Sequence, residues 1–351
     1  MIQTAIVGGG PAGAYCAYCL AENNIHPTIF DPTHPREKPC GGLISTSAQK
    51  LFPFLRQIPI EHTVINKIHF VFPSGNRICL SLRDGFLGFS RLMLDKFLVD
   101  RAVEKGAKLI KEEVVAFKRK GDFWHLKTAK QTYAAKILIG ADGVNSLVRR
   151  KLIGPLSKKD IGLCLGYFAD EPGNEDATIV FSPYREGYIW VIPRGRNTCL
   201  GIGTAEISGS YRMKKELNLF IQKNYPNIKK ISSWAALIPN IKDPRIFSKP
   251  LAGANWILIG DAAGHVDPIS GEGVLYALLD GKLAAKAIAE NSPKQFNRLW
   301  TETYRMNLFT AIKMRKWLTK KPILELYCKT LRWLHMLAPL NISYQKSLNE
   351  V

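Results

Sequence analysis

Acidic residues are scarce in this chain: 29 Asp and Glu stand against 49 Lys and Arg, a formal charge of +20 over 351 residues. That imbalance attracts phosphate-bearing partners, whether nucleic acid, anionic lipid headgroups or a pyrophosphate. No helix-turn-helix, zinc-finger or RNA-binding signature accompanies the charge, which argues against nucleic acid. An apolar run of the roughly 20 residues that cross a bilayer is missing, as is the basic-then-apolar order of a signal peptide, so neither a membrane span nor export is expected. Low-complexity tracts are also missing, and 46% hydrophobic residues suffice for a buried core. The seven cysteines (16, 19, 40, 79, 164, 199 and 328) are odd in number and scattered. They suit a reducing, cytoplasmic setting better than a disulfide framework. The seven histidines (26, 34, 62, 69, 125, 265 and 335) show no ligand spacing, so no metal is expected.

What is present begins at the first residues. Ile2 to Val7 is an apolar run of strand length; Gly8-Gly9-Gly10-Pro11-Ala12-Gly13 follows, and then a helical segment to Glu22. Pro27-Thr28-Ile29-Phe30-Asp31 reads as a second strand that ends in a carboxylate 18 residues after Gly13. A glycine turn alone is weak evidence. Between a strand and a helix, with an acid at that distance, it is a dinucleotide fingerprint. Gly8 permits the turn, Gly10 lets backbone approach a pyrophosphate, Gly13 lets helix pack on strand, and Asp31 accepts from a ribose hydroxyl. Cys16-x-x-Cys19 falls inside the first helix and reads as packing against the sheet.

Further along, β-rich segments from Val64 to Leu82 flank Pro73-Ser74-Gly75-Asn76, and helix spacing runs from Arg91 to Lys105. A hairpin turns at Lys120-Gly121-Asp122, and Lys136 to Gly140 is a buried-type strand. Residues 161 to 204 read as four strands of one sheet, punctuated by Pro172-Gly173, Pro183 and Arg194-Gly195. Trp256 to Asp261 returns to the nucleotide-fold pattern, with a helix from Gly271 to Ala289.

Ile259-Gly260-Asp261-Ala262-Ala263-Gly264-His265-Val266-Asp267-Pro268, followed by Gly271-Glu272-Gly273, resembles the second flavin motif of glutathione-reductase-type FAD proteins with the p-hydroxybenzoate hydroxylase fold. Gly140-Ala141-Asp142-Gly143 through Arg150 resembles the third. Lys38-Pro39-Cys40-Gly41-Gly42 and Gly187-Tyr188-Ile189-Trp190-Val191-Ile192-Pro193 then resemble the geranylgeranyl reductase family, with Ile192 and Arg194 where that family usually has Phe and Lys. Flavin-dependent halogenases share a similar Trp-x-Trp-x-Ile-Pro pattern, but their lysine-bearing motif is not found here.

The resemblance implies an α/β protein: a Rossmann-like FAD-binding domain over 1–60, 90–155 and 252–292, an inserted β-rich substrate domain over 61–89 and 156–251, and a basic helical C-terminal region over 293–351. It implies FAD held by Gly8, Gly10, Pro11, Ala12, Gly13, Asp31, Arg36, Gly41, Gly42, Arg91, Val115, Ala141, Asp142, Asp261, Pro268, Gly271, Glu272, Gly273 and Val274. Val115 is expected in the strand after Gly106-Ala107, Arg91 turned towards FAD, and Glu272 as a helix cap.

The implied activity is saturation of C=C bonds in an isoprenoid lipid, pyrophosphate or quinone side chain, with hydride from flavin N5 and a proton from the protein. Tyr188 and Trp190 alternate along a strand and so share a face, suited to a wall beside the flavin. Cys40 is a candidate contact or proton relay. The electron donor stays open among NADH, NADPH and ferredoxin. Two alternatives stand beside this reading: a flavin monooxygenase or halogenase-like enzyme, and a non-catalytic flavoprotein that binds lipid or nucleic acid. From Lys294 to Val351 there are 11 Lys and Arg against three acids, beside Trp300, Trp317, Tyr327 and Trp333. That composition, with the interrupted apolar segment Ile323 to Leu340, suggests peripheral docking on an anionic membrane.

Overall fold

The computed structural model describes residues 1–318, except 171–174, 183–186, 206 and 208, together with residues 323 and 326. The turns expected at Pro172-Gly173 and Pro183, Cys328, and most of the Ile323 to Leu340 segment with Tyr327 and Trp333 lie outside the described residues. The first strands are β1 (Ile2–Val7), β2 (Thr28–Phe30), β3 (Leu43–Ile44), β4 (His62–Val71), β5 (Arg77–Phe89) and β6 (Lys108–Ile110). They are followed by β7 (Ala116–Lys120), β8 (Phe123–Lys127), β9 (Thr132–Gly140), β10 (Ile161–Ala169) and β11 (Ala177–Phe181). The last are β12 (Gly187–Pro193), β13 (Thr198–Thr204), β14 (Lys230–Pro239) and β15 (Trp256–Leu258). The helices are α1 (Pro11–Glu22), α2 (Thr46–Leu51), α3 (Arg91–Glu104), α4 (Leu147–Leu152), α5 (Ser210–Asn224), α6 (Val274–Ala289), α7 (Phe296–Thr303) and α8 (Arg305–Leu318).

Two sheets result. The first runs β6-β2-β1-β9-β8-β7, and β15 pairs in parallel with the last three residues of β9. Its parallel strands β6, β2, β1, β9 and β15 end together, which is where open α/β sheets hold ligands. The second runs β14-β10-β13-β12-β11-β4-β5-β3 and is antiparallel except between β4 and β11. The Rossmann-like unit with a β-rich insert is therefore present. β3, expected within the first domain, instead pairs with β5 in the second sheet. Two further elements had not been anticipated. α5 places Met213, Leu217 and Ile221, one helical stripe, against Leu165, Leu200 and Ile202 on the outer face of the second sheet. β14 forms that sheet's edge.

Helices α1 and α6 cover one face of the first sheet and touch backbone to backbone. A Cβ on Gly281 would stand 2.8 Å from the Cys16 nitrogen and 2.9 Å from the Ala12 carbonyl oxygen. Cys16 is thus buried at a helix crossing, where burial pushes its thiol well up, and the packing reading of Cys16-x-x-Cys19 agrees with that position.

The described part of the C-terminal region joins the main core. Phe296, Trp300, Tyr304, Leu308 and Ile312 belong to the same core as α1 and α6. Trp300 is only 3% exposed and packs on His265, with ring centroids 4.7 Å apart, so it is unavailable to a membrane. Beside it lies a wholly buried polar cluster. Asp280 Oδ2 accepts from the Gly260 nitrogen at 2.7 Å and sits 2.9 Å from His265 Nδ1, while the Tyr304 hydroxyl donates to Asp280 Oδ1. His265, expected in the flavin motif, is therefore a structural group that ties the Gly260-Asp261 turn to α6 and α7.

Buried acceptors that lose a donor keep their desolvation cost. Tyr304→Phe is therefore expected to destabilise the protein by about 1–3 kcal/mol, read as a lower urea midpoint with unchanged slope. An unchanged midpoint would show that the cluster does not hold the C-terminal helices.

Candidate active site

The glycine turn is built by close approach. A Cβ on Gly8, whose φ is +106°, would lie 2.3 Å from the Ala141 carbonyl oxygen, and one on Gly13 would lie 2.0 Å from the Gly8 oxygen. Gly10 differs: its φ is −72° and nothing lies within 4 Å of its Cβ position. The turn is fixed from below by Asp31, 4% exposed, whose Oδ2 accepts from the Gly9 nitrogen and whose Oδ1 accepts from the Thr33 nitrogen and hydroxyl, each at 2.9 Å. Burial opposes ionisation of Asp31, yet these donors outweigh it and hold the carboxyl below its ordinary range. α1 starts at Pro11, has Gly10 as N-cap and has no side-chain cap, which leaves its first-turn donors to water or an anion.

A second helix start is left bare in the same way. α6 has Gly273 as N-cap and no capping side chain. It begins at Val274, three residues later than its sequence pattern indicates, because Gly271, with φ of +74°, and the Asp267 turn occupy the interval. Asp267 Oδ1 accepts from the Ile269 and Ser270 nitrogens and so shapes the loop that carries Pro268. Asp261, 3.2 Å from Lys38 Nζ, lies alongside, with Oδ1 3.6 Å from the Cβ position of Gly273. Glu272 does not cap α6. Its Oε1 accepts from the Ser45 hydroxyl at 2.6 Å instead, and burial, with Asp267 nearby, pushes its carboxyl up to about 7.

Facing these loops is the inner surface of the second sheet. Trp190, Gly201, Gly166 and Trp234 stand in one cross-strand row through β12, β13, β10 and β14. The glycines leave space that the indoles fill: a Cβ on Gly201 would be 2.3 Å from Trp190, and one on Gly166 2.6 Å from Trp234. The two indoles stack 6.0 Å apart, and Tyr188 lies 5.7 Å from Trp190 on the same face. The Tyr188 hydroxyl donates to the Ser270 carbonyl at 2.5 Å and lies 3.3 Å from the Cβ position of Gly271. The wall is thereby fastened to the start of α6.

Cys40-Gly41-Gly42 crosses this wall. A Cβ on Gly41 would meet Ile192 at 2.7 Å and the Trp190 Nε1 at 3.5 Å; Gly42, with φ of +76°, passes the Phe89 oxygen at a 2.0 Å Cβ distance. The sequence reading missed what holds the loop there. Arg194, its side chain fully buried, donates Nη1 to Glu37 Oε1 at 3.1 Å and to the Cys40 carbonyl at 3.4 Å, and lies 4.4 Å over the Phe168 ring. Glu37 also accepts from Ser90 Oγ at 2.5 Å and from the Arg91 nitrogen at 3.0 Å, so one carboxylate joins the loop, α3 and β12. Arginine suits this task better than lysine because its planar fork serves several acceptors at once.

Five expected cofactor contacts have partners within the protein. Arg91 is 3% exposed and donates Nε and Nη2 to the two Asp95 oxygens at 2.7 and 2.8 Å, next to Cys40 rather than extended into open space. Arg36 is half-exposed and 3.9 Å from the same Asp95. Val115 lies beyond β6, outside the strand expected for it, and its nitrogen donates to the Lys127 carbonyl. Asp142 accepts from Ser146 Oγ and from the Leu147 and Val148 nitrogens, which makes it the anchor of α4, while Ala141 donates its nitrogen to the Val7 oxygen. Among the described residues no cluster of side chains suits a metal ion.

Glycine turn, uncapped α6 and intervening sheet define a Rossmann-like flavoprotein fold. Residues 6–64 match the NAD(P)-binding Rossmann-like domain model. The geranylgeranyl diphosphate reductase of Rhodobacter capsulatus is 30% identical over 301 residues, 80% of this chain and 73% of that protein. The digeranylgeranylglycerophospholipid reductase of Methanocaldococcus jannaschii is 23% identical across 90% of this chain and 86% of its own. A solved geranylgeranyl bacteriochlorophyll reductase-like protein from Thermoplasma acidophilum superimposes with a TM-score of 0.80 at 21% identity, covering 91% and 87% of the two chains. A flavin-dependent brominase, at 0.71 and 19% identity over 90% of each chain, shares the fold. The chain belongs to the geranylgeranyl reductase family.

The two glycines make separable predictions. Gly10→Val is expected to fold with an unchanged melting temperature and lose dinucleotide binding by tenfold or more. Gly13→Ala is expected to lower the melting temperature itself, because its Cβ meets backbone. Equal binding by the Gly10 variant and wild type in a calorimetric titration would contradict a pyrophosphate at this turn.

Proposed function

We propose that this chain is an FAD-dependent reductase that saturates C=C bonds of an isoprenoid substrate. The observation that carries this reading is the seating of Cys40-Gly41-Gly42 on the Tyr188-Trp190 face, directly beside the uncapped start of α6. The donor set fits the cofactor: two helix starts without side-chain caps, and open space at Gly10 where a Cβ would otherwise stand. Backbone donors at Gly10, Ala12 and Gly13 would hold the pyrophosphate, with Pro11 at a position where no N–H is needed. Asp31 would keep the glycine turn in shape from below, and Asp261 would serve the ribityl side. Gly271, Gly273 and Val274 would direct the α6 dipole at the pyrimidine ring. Gly41 and Gly42 would pass the isoalloxazine closely. When bound, the reduced flavin supplies a hydride at N5.

The chain's own residues do the rest. Tyr188, Trp190 and Trp234 present an apolar, water-excluding wall for a polyprenyl chain. Tyr188 spends its hydroxyl on Ser270, and burial pushes its phenol up, so it fixes the loop rather than supplying protons. Cys40, whose sulfur accepts from the Gly42 nitrogen at 3.3 Å, sits at the edge of the wall as a substrate or flavin contact. Electrons would come from NADH, NADPH or a ferredoxin-type protein. Among the described residues no helix is long and apolar enough to cross a membrane. The exposed Met306 and Trp317 on the basic α8 would instead rest on an anionic lipid surface.

Anaerobic incubation of the reduced holoenzyme with geranylgeranyl diphosphate is expected to yield products heavier by two hydrogens per bond, read by mass spectrometry. Substrate-stimulated oxygen consumption with a hydroxylated or halogenated product would overturn the reading in favour of a monooxygenase or halogenase.

A further inference from the structure

Alkene saturation consumes a proton as well as a hydride, and the wall offers few groups able to give one. Tyr188 is committed to the Ser270 carbonyl. Asp261 is paired with Lys38, and Asp31 is held as a carboxylate beneath the glycine turn. Glu272 is arranged differently. It stands between Gly271 and Gly273 at the uncapped start of α6. Its side chain reaches Ser45, which follows Cys40-Gly41-Gly42 by one short strand, β3. The same Ser45 hydroxyl accepts from the Ala48 nitrogen as the N-cap of α2, so the carboxyl is bound to a fixed partner.

We propose that Glu272, oriented by Ser45, is the acid that protonates the substrate carbon opposite the one that receives hydride. This rests on the reductase reading. In the step the π bond opens: one carbon gains a C–H bond with both electrons of the hydride given by the reduced flavin. The former π pair takes the proton from the Glu272 O–H at the other carbon. The carboxylate left behind is reprotonated by water, so atoms and charge balance. Burial is the main cause that favours this protonated form, and it outweighs the Ser45 hydrogen bond, which favours the carboxylate. Asp267 on its own loop repels a second negative charge, and Ser45 on the opposing loop is neutral. Tyr276 on α6 is pushed up by burial, with Asp267 and Glu272 adding to it, and stays neutral, as does Tyr188 on β12, while Lys38 is already paired with Asp261. With the carboxyl held at about 7, an acid is available at neutral pH and lost above it.

The test compares wild type, Glu272→Gln, Glu272→Asp and Ser45→Ala as FAD-loaded, pre-reduced proteins mixed anaerobically with geranylgeranyl diphosphate. Glu272→Gln is expected to slow product formation by roughly 10²-fold or more per bound, fully reduced FAD. Glu272→Asp is expected to recover part of the rate, Ser45→Ala to lose a smaller factor, and the wild-type rate to fall as pH rises through about 7. A readout without turnover follows from linkage. The folded-state pKa lies above the unfolded one, so the protonated carboxyl's contribution to stability is full below about 4.5 and lost as pH rises towards 7. The melting temperature of the cofactor-free Glu272→Gln protein should therefore gain on wild type as pH rises across that window. Glu272→Gln turnover within threefold of wild type, with the same pH profile, would overturn the assignment while leaving the reductase reading intact. Wild type that forms no product heavier by two hydrogens would instead remove the reductase reading, and this assignment with it.

Discussion

Everything at the functional end of this molecule depends on backbone passing backbone where no side chain fits. Gly8 lies against the Ala141 carbonyl, Gly13 against Gly8, and Gly281 against the first turn of α1. These three approaches bring β1, β9, α1 and α6 to one place, at the carboxyl ends of the parallel strands. Asp31 then spends both carboxylate oxygens on the turn and its neighbour, which fixes the turn from below. The helix starts at this place, those of α1 and α6, have no side-chain caps, and such donors are satisfied in a stable protein by water or by an anionic ligand. The starts of α1 and α6 thus offer backbone donors beside one another's loops at this end of the first sheet.

The second sheet meets that side with chemistry of the opposite kind. Its outer face is closed by the apolar stripe of α5, so the alternation of each strand turns Tyr188, Trp190, Ile192 and Phe168 inwards. Glycines in register with Trp190 and Trp234 let the indoles lie across the sheet instead of standing off it. Charged groups along the seam are few and paired: Glu37 with Arg194, and Arg91 with Asp95. Because Arg194 is buried, removal of Glu37 would leave an uncompensated charge, which costs more than an exposed pair is worth. The seam therefore resists any sliding of the Cys40 loop along the wall.

Much of this could be read from residues alone, for reasons that differ by feature. The glycine turn, both hairpins and the four strands from 161 to 204 are local patterns, set by glycine conformation and by alternation. The inward face of Tyr188 and Trp190 follows from a period of two. The roles of Asp142 and Arg91 were less legible, because a carboxylate four residues from a serine or a guanidinium four residues from an aspartate satisfies its neighbour before reaching a ligand. Val115 was misplaced because β6 stops at Ile110. Trp300 lay in a basic segment whose composition suggested a surface, yet its helix packs on His265 through contacts no local pattern records. Glu37, Ser45 and Trp234 were invisible for the same reason: each acts across more than 50 residues of sequence.

The central claim is that the joined helix starts hold FAD rather than a nicotinamide dinucleotide, although the matching domain model takes its name from NAD(P). Calorimetric titration of the cofactor-free protein with FAD, NAD and NADP measures this directly. One FAD per chain, bound with a visible flavin absorption that neither NAD nor NADP displaces, is the result predicted. Stoichiometric binding of NAD or NADP at the glycine turn, with no affinity for FAD, would contradict it.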